Sequence, residues 1–154
     1  MPDVHLKASD LNADSTWLLM QWCIERGSDE FSYICLGGAA LAAPLCSAAE
    51  SALEPFSLPP GPRPHLSRPV AEPFIRKTHL WRLNVESLAK LKELLPEGLF
   101  TDRQGNRDGW IEDVTLYRKS ELLLGIITHE DRATLRASDA EIRQLREQGL
   151  LPAI

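Results

Sequence analysis

The chain has 154 residues, of which 44% are hydrophobic and 25% charged, so its composition excludes a disordered chain and predicts one domain with a sizeable core. The formal net charge of −5 arises in the first third, where residues 1–54 hold two basic side chains (Lys7, Arg26) and eight acidic ones. A nucleic-acid partner needs clustered Lys and Arg to neutralise its phosphates, so this distribution argues against nucleic acid and favours a basic protein partner.

The three cysteines, Cys23, Cys35 and Cys46, form no C-x-x-C pair, so they predict neither a redox motif nor a zinc site. We interpret them as free thiols that pack as small apolar groups. The first ten residues, MPDVHLKASD, lack a basic stretch followed by an apolar run, and no apolar run reaches the roughly 20 residues of a membrane helix. We therefore expect a cytoplasmic protein with no secretory signal and no membrane partner.

The N-terminal part, residues 1–54, is rich in apolar and small side chains. Residues 16–26 (TWLLMQWCIER) suit either a helix or a buried strand, because a continuous apolar run fits both, and the length favours the helix. Residues 30–36 predict a strand. The stretch 44–53 predicts a second helix with proline at its first position, where the missing N–H costs nothing. We expect this part to add helical cover and an edge strand to the remainder.

Residues 55–73 (PFSLPPGPRPHLSRPVAEP) hold seven of the eleven prolines in the chain. Each proline fixes its own φ and biases the preceding residue towards extended geometry, so we predict neither a helix nor a central strand. We interpret the segment as a Pro-rich loop or linker. Its P-x-x-P spacings would also suit an aromatic groove on another protein, although such spacings are frequent in any proline-rich stretch.

The remainder, residues 74–154, predicts the order β-α-β-β-β-α. A first strand (FIRKTHLWRL) leads into a helix that Asn84 caps. The segments WIEDVTLYR and ELLLGIITH face each other across a Lys-Ser turn as a hairpin. A third strand follows at 132–137, and the last helix begins at Ser138 and Glu141, which have the spacing of a capping box.

These elements together predict the fold class. We expect a single α+β domain over residues 1–154, with an antiparallel sheet of about four or five strands and helices packed on one face. Residues 122–127 are apolar on both pleat faces, which indicates a central strand that is covered on each side.

The polar segment 101–113 (TDRQGNRDGWIED) is rich in the oxygen ligands that Ca²⁺ prefers. Aligning Gly109 with the glycine of an EF-hand loop leaves Thr115 where a bidentate carboxylate is needed, and a strand follows where that motif has a helix. A turn does not require a full set of Ca²⁺ ligands, because Asn106 and Asp108 need only form hydrogen bonds with their own backbone. We interpret the segment as a polar corner, with a weak ion site as the lesser alternative.

A few further side chains are candidates for binding or chemistry. His129 and Glu130 place an imidazole beside a carboxylate, although neighbouring strand residues point to opposite faces. His79 lies on the strand that precedes Asn84. A structural role at the boundary of the core explains this histidine as well as a functional role does. Trp110, beside the polar corner, is the tryptophan that we expect to be partly exposed. The weak binding candidates are Trp110, Asp108, His129 and Glu130.

The sequence has no serine elbow, no metal-ligand spacing and no phosphate-binding loop, so we assign no catalytic residue, no metal ligand and no cofactor. We predict a small macromolecule-binding protein of the regulator, adaptor or antidote type, with no catalysis of its own and with homodimerisation as a further form of association. The alternative is a small, metal-assisted enzyme whose site gathers His79, His129, Asp108 and Glu130. An enzyme of that kind requires a pocket that unites at least two of these side chains.

Overall fold

The computed structural model describes residues 3–36, 44–66, 73–100 and 110–152, which form seven strands and four α-helices. The strands are β1 (Asp3–Lys7), β2 (Glu30–Leu36), β3 (Ser57–Leu66), β4 (Pro73–Arg82), β5 (Trp110–Arg118), β6 (Glu121–Ile127) and β7 (Arg132–Arg136). The helices are α1 (Ala13–Glu25), α2 (Pro44–Leu53), α3 (Val85–Leu94) and α4 (Asp139–Glu147). The predicted α+β class is confirmed, whereas the predicted count of four or five strands is too low.

All strands pair antiparallel in one sheet of order β1-β7-β6-β5-β2-β4-β3. The two strands that the sequence did not predict, β1 and β3, are its two edges. The Pro-rich segment, interpreted as a loop or linker, therefore forms a strand over 57–66, and its residues 67–72 lie outside the described ranges. An edge strand tolerates proline because half of its N–H groups need no partner in the sheet. Pro59 and Pro60 also coincide with the register shift between β3 and β4.

Local capping signals fix the ends of the helices. The helix favoured for residues 16–26 is confirmed as α1, which ends at Glu25, and the Asn12 side chain caps its start by accepting from the Ser15 N–H. The predicted caps of α3 and α4 are confirmed, since Asn84 and Ser138 each accept a backbone N–H three residues onward. Such caps act within one turn of the chain, which is why the sequence alone reveals them.

One face of the sheet is apolar and carries the main core. Residues in register across six strands form a continuous row on this face: Val4, Leu135, Leu124, Leu116, Phe31 and Trp81. Every helix adds buried side chains to the same cluster, among them Leu19, Met20, Ala49, Leu53, Leu88, Leu91, Ile142 and Leu145. Burial of apolar surface in this layer is the main favourable contribution to folding.

The opposite face of the sheet is lined by small and polar residues. The row in register there is His5, Thr134, Gly125, Thr115 and Ser32. Strand β4 pairs with β2 at only two positions, and the remainder of the β3–β4 hairpin folds back across this face. A Cβ added to Gly125 would lie 2.8 Å from Cδ1 of Leu66, although four places separate their strands in the sheet. The sheet is therefore strongly curled, and β6 is covered on both faces.

The contact between Gly125 and Leu66 gives a direct test of this curl. We expect Gly125→Val to lower the free energy of unfolding by about 2 kcal/mol, because the added methyl groups overlap Leu66. The double variant Gly125→Val/Leu66→Ala removes the overlap. Its loss in free energy of unfolding, measured with urea, should therefore be smaller than the summed losses of the two single variants by about 1 kcal/mol. Strictly additive losses would show that β3 does not lie over β6.

The cysteines differ from the prediction. Cys35 in β2 and Cys46 in the first turn of α2 form a disulfide, and only Cys23 remains a buried free thiol among the described residues. The prediction of free thiols is thus wrong for two of the three cysteines, because spacing in the sequence does not show which elements come into contact. None of the described helices has the length and apolar character needed to cross a membrane.

Candidate functional site

An open groove of about 480 Å³ lies between α2 and β4. One side is the polar face of α2 and the turn after it, where Ser47, Glu50, Ser51 and Glu54 follow the i, i+3, i+4, i+7 spacing of a single helix face. The other side is formed by His79 and Trp81 of β4 and by Ser57 of β3. We call this feature the α2–β4 groove.

Stacked rings form the β4 side of the groove. The His79 ring lies 4.0 Å from the Trp81 ring, and the Trp81 ring lies 4.5 Å from the Tyr33 ring, measured between centroids. Phe31 continues this aromatic stack into the core, 6.0 Å from Trp81. Nε2 of His79 is 3.1 Å from the Ser57 hydroxyl, which orients the exposed imidazole at the rim.

The charge of the α2–β4 groove is negative. Its charged lining residues are Glu50 and Glu54, and no lysine or arginine is among the described residues that line it. Burial, with a smaller effect of Glu50, raises the pKa of the Tyr33 hydroxyl to about 12, so this group stays protonated at neutral pH. Within the described part of the chain the buried Tyr33 hydroxyl has no hydrogen-bond partner. The groove therefore combines two carboxylates and three serine hydroxyls, with the partly buried Tyr33 ring stacked behind Trp81.

Two attachments hold α2 in place as a wall of the groove. Ala49 and Leu53 are fully buried on the side of α2 that faces the core. The disulfide to Cys35 fixes the first turn of α2 to β2, which carries Tyr33. The spacing between the carboxylates and the aromatic stack is thus set before any ligand arrives, which lowers the entropic cost of binding.

The other predicted site residues lie elsewhere. His129 is exposed in the 3₁₀ turn that follows β6, with Nδ1 3.6 Å from Oε2 of Glu112. The same carboxylate accepts from Nε1 of Trp110 at 3.4 Å, and Trp110 is half-buried, in agreement with its expected partial exposure. Glu130 pairs with Arg132 at 2.9 Å. Asp108 falls outside the described residues.

The structure does not bring the imidazoles of the enzyme alternative together. His79 lies on β4 and His129 follows β6, and these strands are three places apart in the sheet. His129 is not among the described residues that line the groove beside His79, and its ring lies against Glu112 instead. In the described ranges no group of three or more His, Cys, Asp or Glu side chains is arranged to hold a metal ion.

Sequence reasoning missed His65, which is buried beneath the curled hairpin. Its Nε2 lies 2.7 Å from the Thr78 hydroxyl and 3.3 Å from the Tyr117 hydroxyl, and the latter lies 3.0 Å from the Ser32 hydroxyl. Burial, aided by the nearby charge of Arg76, lowers the pKa of His65 to about 4. A signal was present in PGPRPHL, where prolines at every second position leave the intervening side chains on one face of an extended strand.

The fold and the groove define a class: a curled antiparallel α+β domain with an acidic, aromatic groove beside its apolar core. Comparisons with family models, with curated proteins and with solved structures find no match to this chain.

Proposed function

We propose that this chain is a macromolecule-binding protein without catalysis of its own, and that it holds a basic segment of a protein partner in the α2–β4 groove. The observation that carries this proposal is the pair of carboxylates, Glu50 and Glu54, facing a preformed aromatic stack. A regulator, an adaptor or an antidote to a basic protein would all use such a groove.

The chemistry of the groove suits a lysine or arginine side chain. The carboxylates attract the cationic head, and the rings of His79 and Trp81 offer a surface for the aliphatic stem, which long basic side chains bury readily. The serine hydroxyls can accept the remaining N–H groups of a guanidinium. Each of these groups is already placed by the fold.

The same charges favour a protein over a nucleic acid as the partner. The phosphate backbone of a nucleic acid would meet Glu50 and Glu54 and, among the lining residues that the structure describes, no cation. A basic peptide meets complementary charge, which increases both its rate of association and its specificity. Homodimerisation stays a prediction from the sequence.

The disulfide bears on where the protein works. The cytoplasmic location stays a prediction, and the Cys35–Cys46 bond counts against it, because cytosolic thiols are normally kept reduced. We propose instead an oxidising compartment, in which the bond that holds α2 beside the groove persists.

A charge-neutralising variant tests the proposed function. We expect Glu50→Gln/Glu54→Gln to weaken the binding of an arginine- and lysine-rich peptide about tenfold, because each exposed ion pair contributes up to about 1 kcal/mol. Isothermal titration calorimetry at low and high salt measures this, and the wild-type affinity should fall as salt increases. Glu97→Gln/Glu147→Gln is the matched control, since both carboxylates are exposed and lie outside the groove.

The outcomes separate groove binding from general attraction to a negatively charged protein. Equal weakening in both double variants would show that only net charge matters. Equal affinity of the wild type for an acidic peptide of the same length would also reject the groove as a site for basic segments. Loss of affinity in the groove variant alone supports it.

A further inference from the structure

The two edge strands of the sheet differ in their capacity to accept a further strand. In β3, Pro62 and Pro64 stand at alternate positions and have no N–H, and the nitrogen of a proline in an edge strand faces away from the sheet. The outer edge of β3 therefore lacks donors at both positions. The other edge strand, β1 (DVHLK), contains no proline. Unpaired N–H and C=O groups along such an edge are a template for another strand.

Hydrogen bonds at the end of β1 show which of its backbone groups face outward. The Ala8 N–H donates to the Asp131 carbonyl beside β7 at 2.8 Å, whereas the Lys7 N–H donates to Oδ2 of Asp10 at 2.8 Å. Successive residues of a strand direct their N–H and C=O groups to opposite sides. The even-numbered residues of β1 therefore bond to β7, and the odd-numbered residues direct their backbone groups to the open edge.

The sequence of β1 is complementary to itself in the antiparallel direction. When two copies of DVHLK pair about His5, Asp3 lies opposite Lys7 at each end, and Val4 lies opposite Leu6. Residues that lie directly opposite share one face of the sheet. Opposite charges therefore meet on the polar face, and apolar side chains meet on the core face. The apolar row that begins at Val4 continues into the second copy.

The charged pair corrects an unfavourable feature of the single protomer. The exposed side chain of Lys7 lies opposite Arg132 of β7, and like charges in directly opposite positions are destabilising. Asp3 of a second copy brings a negative charge to this position. Arg136 donates to the two oxygens of Asp3 at 2.8 and 3.2 Å, and a carboxylate has about four acceptor sites, so Asp3 can also accept from an ammonium group.

We propose that a second copy of this chain pairs antiparallel with the outer edge of β1, so that two seven-stranded sheets join about a two-fold axis at His5. About four backbone hydrogen bonds link the strands. Two are reciprocal between the His5 residues, and the Asp3 N–H donates to the Lys7 carbonyl at each end. The Lys7 N–H stays with Asp10. Beside the axis, Nδ1 of His5 lies 3.2 Å from the Thr134 hydroxyl, which orients the ring.

The contact is small, with five residues from each copy, so we expect a dimer dissociation constant of about 100 μM. Sedimentation velocity from about 10 μM to about 1 mM measures this constant. Amide hydrogen exchange, followed by NMR, tests the orientation of the strand. Exchange at Asp3 and His5 should slow about fourfold between about 20 μM and about 1 mM, whereas exchange at Val4 and Leu6 should not change, because β7 already binds these two amides.

A proline at the axis removes the central hydrogen bonds. We expect His5→Pro to weaken dimerisation at least about tenfold, because two of the four strand-to-strand bonds are lost. The hydrogen bonds to β7 should persist, since the His5 N–H faces outward and an edge strand tolerates proline there. His5→Thr is the matched control. It removes the same ring but keeps the N–H, and threonine suits a strand, so its dissociation constant should stay within about twofold of the wild type.

A charge reversal tests the register of the pairing. Lys7→Glu places like charges opposite each other at both ends of the contact, so we expect dimerisation to weaken about tenfold. Lys77→Glu makes the same change in net charge at an exposed position on β4 and should leave the dissociation constant unchanged.

The outcomes decide between this edge, another surface and net charge. A wild-type protein that stays monomeric at about 1 mM contradicts the dimer. A dimer whose affinity is unchanged in Lys7→Glu contradicts the contact at β1, and equal weakening in Lys7→Glu and Lys77→Glu shows that net charge alone acts. If circular dichroism shows that His5→Pro does not fold, the comparison of Lys7→Glu with Lys77→Glu decides.

Discussion

Acidification from pH 7 to pH 4 is expected to lower the free energy of unfolding by about 3 kcal/mol through His65 alone. Burial lowers the folded-state pKa of this imidazole from 6.5 to about 4. The unfolded chain therefore binds the proton first as the pH falls. The full stabilisation is present above pH 6.5 and is lost as the pH falls through 4. Its size follows from the shift in pKa, since each pKa unit corresponds to about 1.4 kcal/mol. The cause is the cost of charging a ring buried beside Arg76.

Urea unfolding at a series of pH values measures this effect. The wild type and His65→Gln should show different slopes of stability against pH between 6.5 and 4, with the slope reduced in the variant. His79→Gln is the control for the loss of an imidazole, because His79 is exposed on the other face of the sheet. Identical slopes in wild type and His65→Gln would contradict the buried position of His65.

A second acid transition should be separable from the first. Two N–H groups of Arg118 bind Glu141 at 2.9 and 3.4 Å, and this pairing is the largest cause that lowers the pKa of Glu141 from 4.5 to about 2. Its contribution is present above pH 4.5 and is lost as the pH falls through 2. It therefore changes mainly below the window in which His65 titrates.

Removal of the Cys35–Cys46 disulfide is expected to lower the free energy of unfolding by about as much as the acidification of His65 does. The bond closes a short loop, with a sequence separation of 11, and loss of such a link costs about 3 kcal/mol in the chain-entropy description. Urea unfolding of Cys35→Ser/Cys46→Ser, and of the wild type with reductant, should show this loss. Binding of the basic peptide should weaken as well, because α2 loses its attachment beside Tyr33.

Thiol counting is the control for the disulfide. Denatured but unreduced protein should react with one equivalent of an alkylating reagent, at Cys23, and with three after reduction. Native protein should react slowly, because burial raises the pKa of the Cys23 thiol to about 12 and thiolate is the reactive form. Three reactive thiols before reduction would show that the bond is absent.

The two proposed binding surfaces lie apart in the sheet. The α2–β4 groove involves β3 and β4 at one end of the strand order, whereas the dimer contact uses β1 at the other end. Among the described residues that line the groove, none belongs to β1. Variants in one surface should leave binding at the other unchanged, so the failure of either proposal can be recognised independently.

Elements defined by local chemistry were predictable from the sequence. The capped helices after Asn84 and Ser138, and the hairpin of β5 and β6, lie where the pattern of side chains predicts them. The hairpin turn itself is less usual, since Lys119 and Ser120 both have positive φ without a glycine. Helix caps and turns involve neighbours in the chain, so their signals do not depend on the rest of the fold.

The candidate sites required the tertiary structure. The sequence singled out His79 only as part of the enzyme alternative, and only the packing of α2 beside β4 places Glu50 and Glu54 opposite it. His65 was overlooked because proline argues against a central strand and does not indicate whether a strand lies at an edge. The pairing of Cys35 with Cys46 was overlooked for a related reason, since it depends on how β2 and α2 meet.

The α+β class, the helices with their caps and the central apolar strand can be read from the amino-acid sequence, because periodicity and capping are properties of neighbouring residues. The strand order, the curl of the sheet, the disulfide and the groove depend on tertiary contacts. Each of these brings together residues that are distant in the chain, and their contact depends on the packing of the whole domain.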